Sequence, residues 1–160
     1  MGLETVHPGV LAGLNKHMTL DQFSTAAKFL RANDIELRVF ILVQPPLMPV
    51  TDSLVWAERA LDFAMQHGAT AATLIPTRAG NGAMETLAAN GEFAPPSLLT
   101  LEDAMEYGLG LKSGRVFADL WGLREACMGC QSQRTARLRQ MNLQQLVLDR
   151  VSCAQCGGLS

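Results

Sequence analysis

Apolar positions along the chain switch between two periods, and each switch marks an element. Thr19-Leu20-Asp21-Gln22 has the form of a capping box, a hydroxyl for one orphan amide and a glutamine three residues on. Phe23, Ala26, Ala27 and Leu30 then recur at helical spacing, which predicts a helix over about residues 20–33. Val39 to Val43 form an almost unbroken β-branched and aliphatic run, the pattern of a strand covered on both faces. Pro45 and Pro46 stop it, since neither can donate to a ladder. Leu54, Ala57, Leu61, Ala64 and Met65 give a second helical stripe, and Gly68 stands where a left-handed cap would close it. AATLIPT, residues 71–77, reads as a second buried strand. AMETLAAN reads as a short helix closed by Gly91, residues 98–109 as another helix, and GRVFADLW as a last strand over about 115–121. Helix and strand alternating at this rhythm predict an α/β fold with a parallel sheet and right-handed crossovers.

Such a sheet has too few strands to cover its own apolar edges, and open apolar edges invite aggregation. A dimer through the sheet would cover them. So would the front half of a larger α/β barrel, and that is the expectation here. The 160 residues suit one domain, and 48% hydrophobic with 18% charged residues is a globular composition. No apolar run approaches the ~20 residues of a membrane span. The N-terminus lacks the basic, apolar and small-residue segments of a secretion signal, so no membrane partner and a cytoplasmic location are expected. A net charge of −2 gives no global attraction to nucleic acid. The tail is locally basic: Arg124, Arg134, Arg137, Arg139 and Arg150 stand against Glu125 and Asp149. A solvated helix face is the first reading of those arginines and an RNA-contacting patch the second.

The strongest chemical signal is cysteine spacing. Cys127-Met128-Gly129-Cys130 and Cys153-Ala154-Gln155-Cys156 are two Cys-x2-Cys pairs separated by residues 131–152. Two such knuckles bring four thiolates into tetrahedral reach, and Gly157 and Gly158 suit a tight turn after the second. Disulfides are disfavoured in a reducing cytosol. Zn2+ is the first expectation and an auxiliary iron–sulfur cluster the second, since four-thiolate sites accept either. With all four positions filled by protein, the site would be structural rather than catalytic.

GLETVHPGVLAGLNKHMTLDQF, ELRVFILVQPP, LIPTRAGNGAME and GRVFADLW, in that order, resemble the radical S-adenosylmethionine superfamily. The similar branch holds the elongator catalytic subunit and the radical partner of archaeosine synthesis, a tRNA-modifying activity. The likeness covers about residues 1–121 and begins at the family's fourth barrel strand. It implies the carboxyl-terminal part of a (β/α) radical-SAM-type barrel over residues 1–126, followed by a four-cysteine, zinc-ribbon-like tail over 127–160. By resemblance Glu4 would meet the ribose hydroxyls of S-adenosylmethionine, with Gly2 letting the backbone approach. Lys16 takes the place of a basic residue that meets the cofactor's carboxylate. Gln44 stands where the family has a glycine in the adenosyl pocket, and Thr77 where backbone groups meet the adenine.

In that family a Cys-x3-Cys-x2-Cys motif holds the [4Fe–4S] cluster that cleaves the cofactor. Here all four cysteines lie beyond residue 126 and none has that spacing. The resemblance therefore implies that the chain is incomplete and that its partner is the missing front half of the barrel, in the same gene or a separate subunit. It further implies a role in tRNA or other RNA modification, with substrate and catalytic residues unknown. The alternative is a non-catalytic zinc-ribbon module that binds RNA or a protein partner.

Other candidates have plainer readings. His67 beside Gly68 suits a dipole contact at a helix C-terminus. His7 lies near Glu4, and neither it nor His17 has a partner at ligand spacing. Gly80-Asn81-Gly82 and GLGLKSG lack the order of a phosphate loop. Arg78 faces either an anionic substrate group or a salt bridge on the barrel rim. Asp119, in an apolar stretch, needs an arginine or hydroxyl partner. Met18, Met48, Met65, Met84 and Met105 read as core filler.

Overall fold

Four short strands lie side by side in chain order, all parallel. They are β1 (Gly2–Glu4), β2 (Arg38–Val43), β3 (Ala71–Pro76) and β4 (Arg115–Ala118). The computed structural model describes residues 1–80, 82–123 and 127–155. Among these residues, six α-helices accompany the strands: α1 (Pro8–Gly13), α2 (Leu20–Ala32), α3 (Ser53–Gln66), α4 (Ala83–Ala89), α5 (Leu98–Gly110) and α6 (Gln131–Gln144). The capping box forms as the sequence requires. Thr19 Oγ1 accepts from the Gln22 amide at 3.2 Å, and Gln22 Oε1 accepts from the Thr19 amide at 2.9 Å. Gly68 and Gly91 take left-handed φ of 87° and 77° past the ends of α3 and α4. No helix among the described residues is long and apolar enough to cross a membrane.

The paired strands run in register from Arg38 opposite Ala71 to Val43 opposite Pro76, and from Ala71 opposite Arg115 to Leu74 opposite Ala118. Leu3, Val39, Ile41, Val43, Ala72, Leu74, Val116 and Ala118 are buried in one core with Phe23 and Ala27 of α2, Ala57, Ala60, Leu61 and Ala64 of α3, and Leu101, Ala104 and Met105 of α5. The opposite face carries Arg38 and Phe40, both exposed, with Leu42, Thr73, Ile75 and Phe117 only partly buried. The expectation of a strand covered on both faces is thus corrected for β2. Its unbroken apolar run is split by the pleat, and helices shield only one half. Gly108 lets α5 approach closely: a Cβ there would stand 2.9 Å from Val116 Cγ1 and 3.1 Å from Leu61 Cδ1.

β4 is shorter than the predicted 115–121. After Ala118 the Asp119 amide still donates to Leu74 O at 2.8 Å, but the Asp119 carboxylate accepts from the Trp121 amide at 3.0 Å and turns the chain out of the sheet.

The outer edge of β4 is closed by side chains. Asn142 Oδ1 accepts from the Ala118 amide at 2.8 Å and its Nδ2 donates to Ala118 O at 2.9 Å. Gln145 does the same for Val116, at 2.8 and 2.9 Å. Two carboxamides stand in for a fifth strand and block further pairing on that side. Gln145 reaches the edge from a left-handed backbone, φ 56°, just past α6.

The expectation of a solvated face for the tail arginines is corrected for Arg134 and Arg137. Both are buried, on either side of the buried Glu102 carboxylate of α5. Arg134 Nε donates to Glu102 Oε2 at 2.9 Å, and Arg137 Nη2 to Glu106 Oε1 at 2.6 Å. Leu138 and Met141 on the same helix join the main core. Two buried guanidinium groups are tolerated here because two carboxylates meet them.

Candidate metal centre and sheet rim

Three of the four expected ligands meet at the start of α6. The Sγ atoms of Cys127, Cys130 and Cys153 all lie within 4.8 Å of one another, close enough for one metal ion to touch all three. Cys127 Sγ and Cys153 Sγ are 3.7 Å apart, well beyond the ~2.05 Å of a disulfide. Cys156 lies outside the described residues, as do Gly157, Gly158, Arg124, Glu125 and Asn81.

Local sequence explains how residues so distant along the chain converge. Cys130 is the N-cap of α6, and its carbonyl accepts from the Arg134 amide at 3.0 Å. The positive end of the helix dipole therefore stands beside the Cys130 sulfur. Gln131 Nε2 donates to Leu123 O at 3.1 Å and ties the first turn to the preceding segment. The returning strand of chain is held by Arg137, whose Nε donates to Leu148 O at 3.1 Å and Asp149 O at 2.9 Å. Arg150 then donates to Asp103 Oδ1 at 2.6 Å and Glu106 Oε2 at 2.8 Å on α5. Three residues later comes Cys153. At Gly129 the exposed end of the Gln155 side chain lies across the first knuckle, in the space a Cβ would take.

The charges of this network set one another. Burial alone would raise the Glu106 carboxyl, but hydrogen bonds from Arg150 and Arg137 outweigh it and hold the group below its ordinary value. Glu106 in turn is the largest influence on Arg150 and strengthens its hold on its proton. Across the helix, Tyr107 Oη donates to both Asp62 carboxylate oxygens, at 3.0 and 2.9 Å, which pushes the phenol above its usual range.

Of the residues expected at a cofactor pocket, Glu4, Gln44 and Thr77 fall at the carboxyl ends of β1, β2 and β3, while Gly2 opens β1 and Lys16 follows α1. Glu4 ends β1 at a register shift with a left-handed φ of 64°, and its carboxylate forms an ion pair with Lys16. A Cβ at Gly2 would collide with both of those charged groups, so Gly2, Glu4 and Lys16 form one cluster. Gln44, just past β2, is also left-handed at φ 57° and fully buried. Its Nε2 donates to Met48 O at 2.7 Å, while its Oε1 finds no partner among the described residues. Thr77, past β3, is buried too; its amide donates to Val43 O at 3.0 Å and its Oγ1 has no partner among the described residues. Strained backbone and orphaned polar atoms collect where parallel sheets take ligands.

Arg78 forms the salt bridge that was one of its two readings, with Nη2 2.9 Å from Asp119 Oδ2, which also supplies the partner Asp119 needed. His7 is an N-cap: its Nδ1 accepts from the Val10 amide at 3.1 Å, and its ring lies 4.4 Å from that of Trp56. His67 closes α3, with Nδ1 2.7 Å from Phe63 O. Met48, Met84 and Met105 are buried, and Met18 and Met65 pack on the core, as filler should. Sequence reasoning missed Glu102, Asn142 and Gln145. The first sits in an apolar helical stripe, where a carboxylate signals a buried partner; the two amides carry no comparable signal. No protein-family model matches the chain, and no curated protein matches it.

Proposed function

We propose that this chain is the carboxyl-terminal part of a radical S-adenosylmethionine enzyme that acts in RNA modification, with a zinc-bound tail that fixes its last helix. The observation that carries the reading is the half-covered sheet. Parallel strands are normally shielded on both faces, yet Phe40, Leu42, Ile75 and Phe117 line a face that stays partly open. Such a face suits the inner wall of a barrel whose other wall comes from further strands, which would add beside β1, since Asn142 and Gln145 close the β4 edge.

Within that reading the rim residues have distinct tasks. Gly2, Glu4 and Lys16 hold an opposite-charge pair at the end of β1; the carboxylate accepts from ribose hydroxyls and the ammonium donates to a carboxylate. Gln44 and Thr77 offer the acceptor and hydroxyl that are otherwise unpaired. Arg78 orients substrate. Bound S-adenosylmethionine, held by these residues beside a [4Fe–4S] cluster, would supply radical hydrogen-abstraction chemistry. The ligands of that cluster belong to the front half, not to the four cysteines of this tail.

Zinc suits the tail site on distance. Two thiolates on one tetrahedral zinc at about 2.3 Å stand about 3.8 Å apart, against 3.7 Å for Cys127 and Cys153. A [4Fe–4S] cluster takes one thiolate on each iron and spreads them farther, whereas a [2Fe–2S] cluster would hold two on one iron at a similar spacing, so metal analysis is what separates it from zinc. Cys156 completes the set in this proposal. A second reading, a non-catalytic zinc module that binds RNA or protein, draws on the same three thiols, but two arginines that RNA would need are occupied by Glu102 and Glu106.

The test is reconstitution. Joined to a segment carrying Cys-x3-Cys-x2-Cys and loaded with iron and sulfide, the protein should form 5′-deoxyadenosine under dithionite, and Glu4→Gln should weaken S-adenosylmethionine binding roughly tenfold, as loss of a charge-assisted pair predicts. Absence of 5′-deoxyadenosine from a protein with an intact cluster would remove the enzyme reading and leave the zinc module.

A further inference from the structure

Trp121 is 76% exposed, more than any Phe, Tyr or Trp among the other described residues, and it is not loose. Its amide donates to Asp119 Oδ1 at 3.0 Å, and its ring is backed by the Arg78 guanidinium, 5.0 Å from the ring centroid. Arg78 is fixed by the other oxygen of the same carboxylate, at 2.9 Å. One aspartate thus holds both the plane and the cation beneath it. Arg78 Nε is buried and has no hydrogen-bond partner among the described residues, so a donor stands unused beside the ring. Gly122, at φ 63°, brings bare backbone to within reach of that guanidinium: a Cβ there would stand 3.5 Å from Nε. The group lies past the carboxyl ends of β3 and β4, on the same rim as Thr77.

We infer that Trp121, Arg78 and Asp119 form a stacking platform for a nucleobase. An arginine already occupies one face of the indole, so its quadrupole is spent on that side. The outer face then favours a flat π system over a second cation. Stacking on an exposed aromatic is tolerant of base identity because each base presents a π face. Asp119 accepts one bond on each oxygen and retains lone pairs for a base amino group at the rim. The same chemistry fits a base carried by a free nucleoside or by a single RNA strand. The inference goes beyond the radical reading and needs no iron, sulfide or front half for its test.

Trp56→Phe leaves Trp121 as the sole tryptophan, since the chain has two. In that background, Trp121 fluorescence is followed while adenosine, a single-stranded hexamer of oligoriboadenylate and ribose 5-phosphate are added in turn. Saturable quenching by a base-bearing probe, with none from ribose 5-phosphate, is the expected result. Quenching by adenosine identifies a nucleoside ligand; quenching by the hexamer alone identifies a strand. Calorimetric affinity for the active probe should fall at least fivefold in Trp121→Ala, and Arg78→Ala should weaken it while circular dichroism stays unchanged. No saturable quenching by either base-bearing probe, equal quenching by ribose 5-phosphate, or unchanged calorimetric affinity in Trp121→Ala overturns the platform.

Discussion

Glu102 is the residue on which the tail's attachment turns. It is buried, and two guanidinium groups reach it from α6. Glu102→Ala removes the shared carboxylate and leaves buried positive charge under-compensated, an effect of about 3–5 kcal/mol in such pairs; urea denaturation should show a loss of that order. Glu106 makes a prediction in pH. Its folded carboxyl titrates below the unfolded value because Arg150 and Arg137 hold the anion. Its contribution is therefore complete above the ordinary glutamate value of about 4.3 and fades as pH falls through the folded value. The stability gap between the wild type and Glu106→Gln should be constant from pH 8 to 5 and close below pH 4. A gap that persists unchanged at pH 3 would mean that the carboxylate charge is not what holds Arg150.

At the level of elements, much of the order was legible because helix and strand periods differ and their stops are chemical. Thr19 and Gln22 mark a start, Gly68 and Gly91 mark ends, and each does so in the structure. Two things were hidden. A run such as Val39–Val43 cannot say whether both its faces are covered, since that depends on helices elsewhere. Nor can Asn142 and Gln145 announce that their amides will pair with β4, because an amide has no periodic signature. The edge they close makes a testable claim. In the double variant Asn142→Ala/Gln145→Ala, four hydrogen bonds to Val116 and Ala118 are lost. The β4 edge then becomes free to pair. Light scattering should show concentration-dependent association absent from the wild type, with a lower unfolding midpoint; a monomer of unchanged midpoint would show that the amides are incidental.

For the whole molecule, the cysteine spacing was the most legible signal: three of its four thiols lie together, and the fourth, Cys156, lies outside the described residues. What spacing could not convey is the means: Arg137 and Arg150 draw the chain back along α5 so that Cys153 reaches Cys127. Cysteine cluster, ion network and edge cap then lie in series on one helix, from Cys130 at its start to Gln145 just past its end. In the zinc-bound form we propose, removing the metal should loosen all three, because ligand binding to the folded form is folding free energy. The most direct measurement is the metal content and thermal midpoint of the purified chain before and after chelation. About one zinc per chain, lost in Cys127→Ser and in Cys153→Ser, with a midpoint that falls on chelation and returns when zinc is restored, is the predicted result. A metal-free chain with an unchanged midpoint, or one carrying iron and labile sulfide in place of zinc, would contradict it.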